Sequence, residues 1–274
     1  MADIEFLKER ARQLRIEIVK MLANAGSGHT GGSLSAADIV AALYFYKMKH
    51  DPKNPQWKER DRFVLSKGHA APLLYAALAI SGYFDISLLK TLRKLNSPLQ
   101  GHPCCKSLPG VEVSTGSLGQ GLSVACGMAL GLRLSGIPSR VYCLLGDGEI
   151  QEGQVWEAAM TASHYKIDNI CAILDHNNLQ IDGHCTEVMN IKPVEDKFIA
   201  FGWNVLTIDG HKMEEIVDAL DEADKIKGKP TMIVANTVKG KGVSIFEGKV
   251  KYHGIAPTQE ELEIALKELK DGQN

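Results

Sequence analysis

Two apolar runs that each end in an oxygen-bearing loop constrain this chain more than any other feature. Val141 to Leu145 stops at Gly146-Asp147-Gly148-Glu149, and Ile170 to Leu174 stops at Asp175-His176-Asn177-Asn178. Asp147 and Asn177 are 30 residues apart, the length of one βαβ unit. That spacing predicts two neighbouring parallel strands with a carboxylate on one tip and an amide oxygen on the next. Hard oxygen donors so placed suit Mg²⁺ or Ca²⁺ holding a diphosphate, with a backbone carbonyl just after Asn177 as a third ligand. The glycines beside Asp147 leave room for phosphate against the backbone. A helix beginning near Gln151 would turn its positive end toward the anion. Either half alone reads as a turn; the pairing at two strand ends carries the metal–diphosphate reading.

The rest of the pattern agrees with such a unit. Strands are expected at 63–65, 141–145, 170–174, 203–208 and 231–236, with helices near 152–165, 193–201 and 213–226 between them. This alternation predicts an α/β fold, a parallel sheet with helices on both faces. Apolar residues at Ile4, Leu7, Ala11, Leu14, Ile18, Met21 and Leu22 predict a helix over 3–25, closed by a flexible glycine turn. A second helix is expected from Ser35 to Lys49, a loop over 50–62, and helices at 70–81 and 122–134. Thr258-x-x-Glu261 is a capping box before a helix at 259–270, because each residue can satisfy the other's free backbone N–H. Residues 96–121 carry many Gly and Pro, and so long an irregular stretch is usually functional. With no repeat and no convincing linker, residues 1–274 read as one domain.

Composition removes several classes of function. A formal charge of −2 gives no basic excess for nucleic acid or an anionic membrane. The apolar stretches 70–80 and 124–132 fall short of the roughly 18 residues that span a bilayer. Charges interrupt the first ten residues, which argues against a signal peptide and for a cytoplasmic protein. Six cysteines occur without a C-x-x-C pair. They read as reduced thiols that mostly fill the core, and Cys104-Cys105 has no partner pair at zinc spacing.

Further candidates sit in glycine-rich contexts. His29, His69, His102 and His253 each lie beside a glycine at an element end. As a set they suggest a polar pocket suited to proton transfer, whereas His50, His164, His176, His184 and His211 lack that context. Ser114-Thr115-Gly116-Ser117-Leu118-Gly119-Gln120-Gly121 precedes a helix and could cradle phosphate or allow close helix packing. Lys239-Gly240-Lys241-Gly242 follows a strand and could meet phosphate or stand as a solvated turn.

These residues together resemble the N-terminal, diphosphate-binding part of transketolase. The ordered motifs are SGHTGG at 27–32, RFVLSKGH at 62–69, GHP at 101–103, LPGVEVSTGSLGQG at 108–121, GDGEIQEG at 146–153, DHNNLQIDG at 175–183, KGKG at 239–242 and HG at 253–254. The GDG…N half is shared by thiamine-diphosphate enzymes generally; the long glycine segment and the four histidines point to transketolase. The resemblance implies that Asp147, Asn177 and the carbonyl of Leu179 bind Mg²⁺ or Ca²⁺. It implies that His69, Gly116, Ser117, Leu118, Gly148, Glu149, Asn177, Lys239 and His253 contact thiamine diphosphate. His29, His69, His102 and His253 would line the reacting centre, where a two-carbon unit passes from a ketose phosphate to an aldose phosphate. Thr30 stands where the family usually has proline, which would leave that loop less rigid.

The resemblance also implies a partner. Family members are typically more than twice this length, and no carboxylate here matches the glutamate of the pyrimidine-binding domain that activates the cofactor. A separate C-terminal transketolase subunit carrying that domain, in an α₂β₂ assembly, is the natural expectation. The 96–121 segment and the helices at 70–81 and 122–134 would then form interface and site walls. The rival enzymes are a 1-deoxyxylulose-5-phosphate synthase-like chain and a 2-oxo acid dehydrogenase alpha-like chain. A cofactor-binding subunit without turnover is the non-enzymatic rival.

Overall fold

The computed structural model describes residues 2–272. Its sheet has five strands: β1 (Arg62–Leu65), β2 (Val141–Gly146), β3 (Ile170–His176), β4 (Asn204–Asp209) and β5 (Thr231–Asn236). They are all parallel and run in the order β1-β2-β3-β5-β4. Side chains alternate between two cores. Tyr142, Leu144, Cys171, Ile173 and Ile233 face one core, with α1 (Ile4–Ala25), α3 (Ala37–Ala42), α4 (Ala71–Ser81), α9 (Met213–Lys225) and α10 (Gln259–Asp271). Val141, Cys143, Leu145, Ala172, Leu174 and Val234 face the other, with α5 (Gln120–Leu134), α6 (Gly153–His164) and α8 (Val194–Ala200). Burial on both faces is why the central strands read as unbroken apolar runs. The predicted α/β architecture is therefore the observed one.

Local chemistry sets the helix ends. Asp3 caps α1 by accepting the Phe6 N–H at 3.0 Å, and Gly26 closes it at φ 66°. Thr258 and Glu261 form the predicted capping box at the start of α10. Both are positions where an otherwise orphaned backbone group finds a partner.

Two expectations are corrected. The second helix does not wait for Ser35: a short helix, α2 (Thr30–Ser35), begins directly after His29. Two glycines would disfavour it in isolation, but tertiary contacts decide the matter. A β-carbon on Gly31 would lie 2.8 Å from the Lys239 side chain, and one on Gly32 would lie 3.4 Å from the His69 ring. Thr30 is buried and its hydroxyl donates to the Ile255 carbonyl at 2.7 Å. A side-chain hydrogen bond thus ties the position that lacks proline. The helix at 70–81 is also no interface wall, because Ala71 through Ala79 are buried inside this chain's own core. A remaining short helix, α7 (Cys185–Val188), follows the β3 tip and has no strong sequence signal.

The C-terminal ends of β1, β2, β3 and β5 share one edge of the sheet. Leu65 pairs with Leu144, Gly146 with Asp175, and His176 with Asn236. Ser66-Lys67, Gly146–Glu149, Asp175–Leu179 and Thr237–Lys239 are thereby gathered at the place where open parallel sheets bind ligands. Among the described residues no helix is long and apolar enough to cross a membrane.

The two-core arrangement predicts a contrast. Leu144→Ala, at a fully buried site, should cost about 3 kcal/mol of unfolding free energy in urea titration. Leu134→Ala, at a side chain 86% exposed, should leave the midpoint unchanged.

Candidate cofactor and active site

The predicted oxygen donors meet. Asp147 Oδ2 accepts the Asn178 N–H at 2.5 Å, and Asp147 Oδ1 lies 2.5 Å from His176 Nδ1. Asn178 turns the chain at φ 60°, a left-handed conformation that asparagine tolerates better than most residues. That turn brings Asn177 and Leu179 back beside Asp147: the Leu179 N–H donates to Asn177 Oδ1 at 3.1 Å, and the Leu179 carbonyl accepts Lys239 Nζ at 3.5 Å. Sequence context gives no reason to single out His176, yet it is buried and orients the key carboxylate. Burial alone would lower its pKa, but the Asp147 hydrogen bond outweighs burial and raises it.

A cavity of about 260 Å³ opens over these groups. Asp147, Gly148, Glu149, Asn177, Leu179, Leu118, Lys239, His69 and His253 line it. Gly116 lies farther out, where a β-carbon would come 3.2 Å from the His102 ring. Ser117 is exposed and makes no hydrogen bond among the described residues. Glu149 sits in the wall without offering a free oxygen. It accepts the Gly119 and Gly146 N–H groups, each at 3.1 Å, and the Ser66 hydroxyl. A carboxylate spent in this way braces the Gly119 loop against the β2 tip. Glu149 thus lines the cavity with its oxygens taken up by protein donors.

The four glycine-flanked histidines converge. Ring centroids lie 5.2 Å apart for His29 and His69, 5.8 Å for His29 and His253, 6.2 Å for His29 and His102, and 5.2 Å for the stacked His69 and His253. Each comes from a different segment; the shared glycine context groups them in the sequence, and the fold brings the rings together. Burial lowers the His29 pKa to about 4, helped by Arg93, His102 and Lys239. Burial and the Lys239 ammonium lower His253 to about 3. His69 and His102 are shifted down as well, first by burial and then by Lys67 and Arg93 respectively. At neutral pH all four rings are neutral, so each can accept a proton at one nitrogen and donate at the other. Lys239 Nζ lies 2.7 Å from His253 Nδ1, and burial followed by Lys67 lowers the lysine to about 8.

Beneath the cavity lies a network that sequence reasoning missed. Asp175, fully buried on β3, accepts Ser35 Oγ at 2.6 Å, Asn177 Nδ2 at 3.2 Å, Lys67 Nζ and Thr237 Oγ1. Lys67 Nζ also donates to the Gly32 carbonyl at 2.8 Å. The signal available was a lysine and an aspartate each placed directly at a strand tip.

The residues present fit a polar, anionic ligand. His29 Nδ1 and Gln180 Nε2 are buried at this site with no hydrogen-bond partner among the described residues, and buried polar atoms seldom stay unpaired. Among the described residues no three His, Cys, Asp or Glu side chains converge as a metal cluster. The cation donors on offer are therefore one carboxylate, one amide oxygen and one backbone carbonyl, a set suited to a hard ion that keeps water and ligand oxygens.

Comparison with known proteins gives the class. Residues 7–272 match the family described as transketolase, thiamine diphosphate binding domain. The chain belongs to that family. A 6-deoxy-6-sulfo-D-fructose transketolase subunit of Clostridium sp. (strain MSTE9) is 48% identical, over 96% of this chain and 96% of the relative. An apulose-4-phosphate transketolase subunit of Phocaeicola vulgatus is 41% identical, over 98% and 95%. The crystal structure of transketolase from Campylobacter jejuni superposes with a TM-score of 0.93 at 41% identity. The match covers 98% of this chain and 43% of that one, so the chain spans about two-fifths of that transketolase.

The lowered histidines predict a pH dependence of stability. A histidine held below its unfolded pKa of 6.5 contributes stability that is complete above that value. The contribution is lost as pH falls from 6.5 through the folded values of about 4 for His29 and about 3 for His253; below 6.5 the unfolded chain binds more protons. The thermal midpoint of the cofactor-free protein should fall between pH 7 and pH 4. In the His29→Asn/His253→Asn double variant it should fall less.

Proposed function

We propose that this chain is the diphosphate-binding subunit of a two-chain transketolase, moving a two-carbon ketol unit from a ketose phosphate to an aldose phosphate. The observation that carries this reading is a cluster of four neutral imidazoles, the other three with centroids within 6.2 Å of His29, of which His69 and His253 line one cavity with Asp147, Asn177 and Leu179. Thiamine diphosphate, when bound, supplies the nucleophilic carbon and the electron sink for breaking and remaking a ketose carbon–carbon bond.

The chain's own residues have distinct tasks in this reading. Asp147, Asn177 Oδ1 and the Leu179 carbonyl hold Mg²⁺ or Ca²⁺, and His176 fixes the carboxylate from behind. The Lys239 ammonium balances diphosphate charge, and Gly116, Leu118 and Gly148 let the cofactor approach the backbone. His69 and His253 flank the cofactor, while His29 and His102 face the sugar. Being neutral, these rings take a hydroxyl proton as the ketose carbon–carbon bond breaks and return it to the alkoxide of the product.

A separate C-terminal subunit with the pyrimidine-binding domain and the activating glutamate completes the site in an α₂β₂ assembly. Support comes from the two relatives that match over nearly their whole length, since both are described as subunits. The cysteines, all free in the structure, suit a reducing cytoplasm.

Asp147→Ala should abolish metal-dependent binding of thiamine diphosphate, read by fluorescence or calorimetric titration on the assembled subunits; an unchanged titration would remove the metal assignment. His29→Ala and His102→Ala should instead lower kcat by about 10²-fold or more with little change in cofactor affinity. Mixing this chain with its partner subunit, thiamine diphosphate, Mg²⁺, a ketose phosphate and an aldose phosphate should give ketol transfer that neither chain gives alone. Activity by one chain alone would refute the split-site reading.

A further inference from the structure

Among the described residues, Arg93 is the one cation at the histidine cluster that the protein leaves unmatched. Lys67 is committed to Asp175, and Lys239 to His253 and the Leu179 carbonyl. Among the described residues the Arg93 guanidinium makes no hydrogen bond or ion pair, and the residue is exposed. Its position is nonetheless built. The backbone holds φ 59°, unusual for a non-glycine residue. The Arg93 N–H donates to the Leu99 carbonyl at 2.8 Å, and Leu92 and Leu99 are fully buried. One glycine clears its path: a β-carbon on Gly101 would fall 2.8 Å from the guanidinium carbon, while Nε also lies within ordinary contact distance of the Gly28 backbone position, 3.7 Å from a β-carbon built there. Gly28 and Gly101 immediately precede His29 and His102, so the guanidinium lies against the backbone that carries two of the four rings. Its charge reaches both rings, adding to burial in lowering them.

A planar, permanently charged fork with free donors suits a tetrahedral oxyanion better than any neutral group. We propose that Arg93 is a specificity-determining residue of this subunit, binding the anionic group carried by the sugar substrate from the open side of the histidine cluster. This assignment rests on the reading of the site as a ketol transferase. It adds that discrimination for charged over neutral sugars comes partly from this chain and not from the partner alone.

The test uses the assembled two-subunit enzyme with Arg93→Gln and Arg93→Lys. KM is compared for a ketose phosphate and for the same ketose without phosphate. Arg93→Gln should raise KM for the phosphorylated sugar about tenfold, leave KM for the neutral sugar within about twofold, and change kcat little. Arg93→Lys should fall between. An equal loss on both sugars, or no loss on either, overturns the assignment. So does weakened assembly with unchanged KM, which would make Arg93 a partner-subunit contact. Calorimetric binding of the ketose phosphate to the loaded assembly supplies a readout that does not need turnover. A Kd raised about tenfold in Arg93→Gln supports anion binding, and an unchanged Kd overturns it. Absence of ketol transfer in the wild type counts against the proposed activity and not against this contact.

Discussion

A buried ammonium–carboxylate contact at the sheet edge supports everything above it. Lys67 leaves β1, Asp175 ends β3, and Thr237 and Ser35 join them from the end of β5 and from α2. Such a pair is costly to desolvate and useful only if every lone pair is satisfied. Here Asp175 accepts from four side chains, and Lys67 has a second acceptor in Gly32. Burial pushes the Asp175 pKa up, but the Lys67 charge and the Ser35 and Thr237 hydroxyls pull it below the ordinary value. The contact fixes three strand tips and one helix in mutual register, with Asn177 hydrogen-bonded to its carboxylate. The proposed metal ligands therefore rest on a charged floor and not on free loops.

The same burial that makes this floor expensive gives the histidines their chemistry. Four imidazoles packed together beside two buried lysines would repel one another if protonated. Burial and the cations hold them neutral at pH 7. A neutral ring is both donor and acceptor, which the proposed proton transfer to and from sugar hydroxyls requires. Glu149 adds a second brace, anchoring Gly119 and Gly146 through their N–H groups. Positive groups thus face the cavity, while Glu149 and Asp175 are taken up by protein donors and Asp147 is the carboxylate of the proposed ligand set.

Strand and helix positions were legible because their signals are local: period-2 and period-3.6 hydrophobicity, capping residues, and glycine at turns. The strand pairing around Asp147 and Asn177 was legible because a 30-residue βαβ unit admits few geometries. Short elements were not. The α2 helix over Thr30–Ser35 forms against its own propensity because Lys239, His69 and Tyr252 pack on its glycines. The helix at 70–81 resembles a wall for another chain because it is apolar all round; it is instead surrounded by this chain's own core. His176 has no glycine context, and only the register of β2 against β3 reveals that it faces Asp147.

The amino-acid sequence by itself determined the α/β plan and the two strand tips bearing Asp147 and Asn177. It also determined the set of residue types available for metal, diphosphate and proton transfer. These follow from spacing and side-chain chemistry along the chain. Only the tertiary structure decided which groups are neutral, which are spent and which are free. His29 and His253 come from opposite ends of the chain yet lie 5.8 Å apart. Glu149 is consumed by backbone donors, Lys67 is paired beneath the floor, and Arg93 is left unmatched among the described residues at the mouth. Charge state and availability depend on burial and on partners distant in sequence, and no reading along one dimension contains that information.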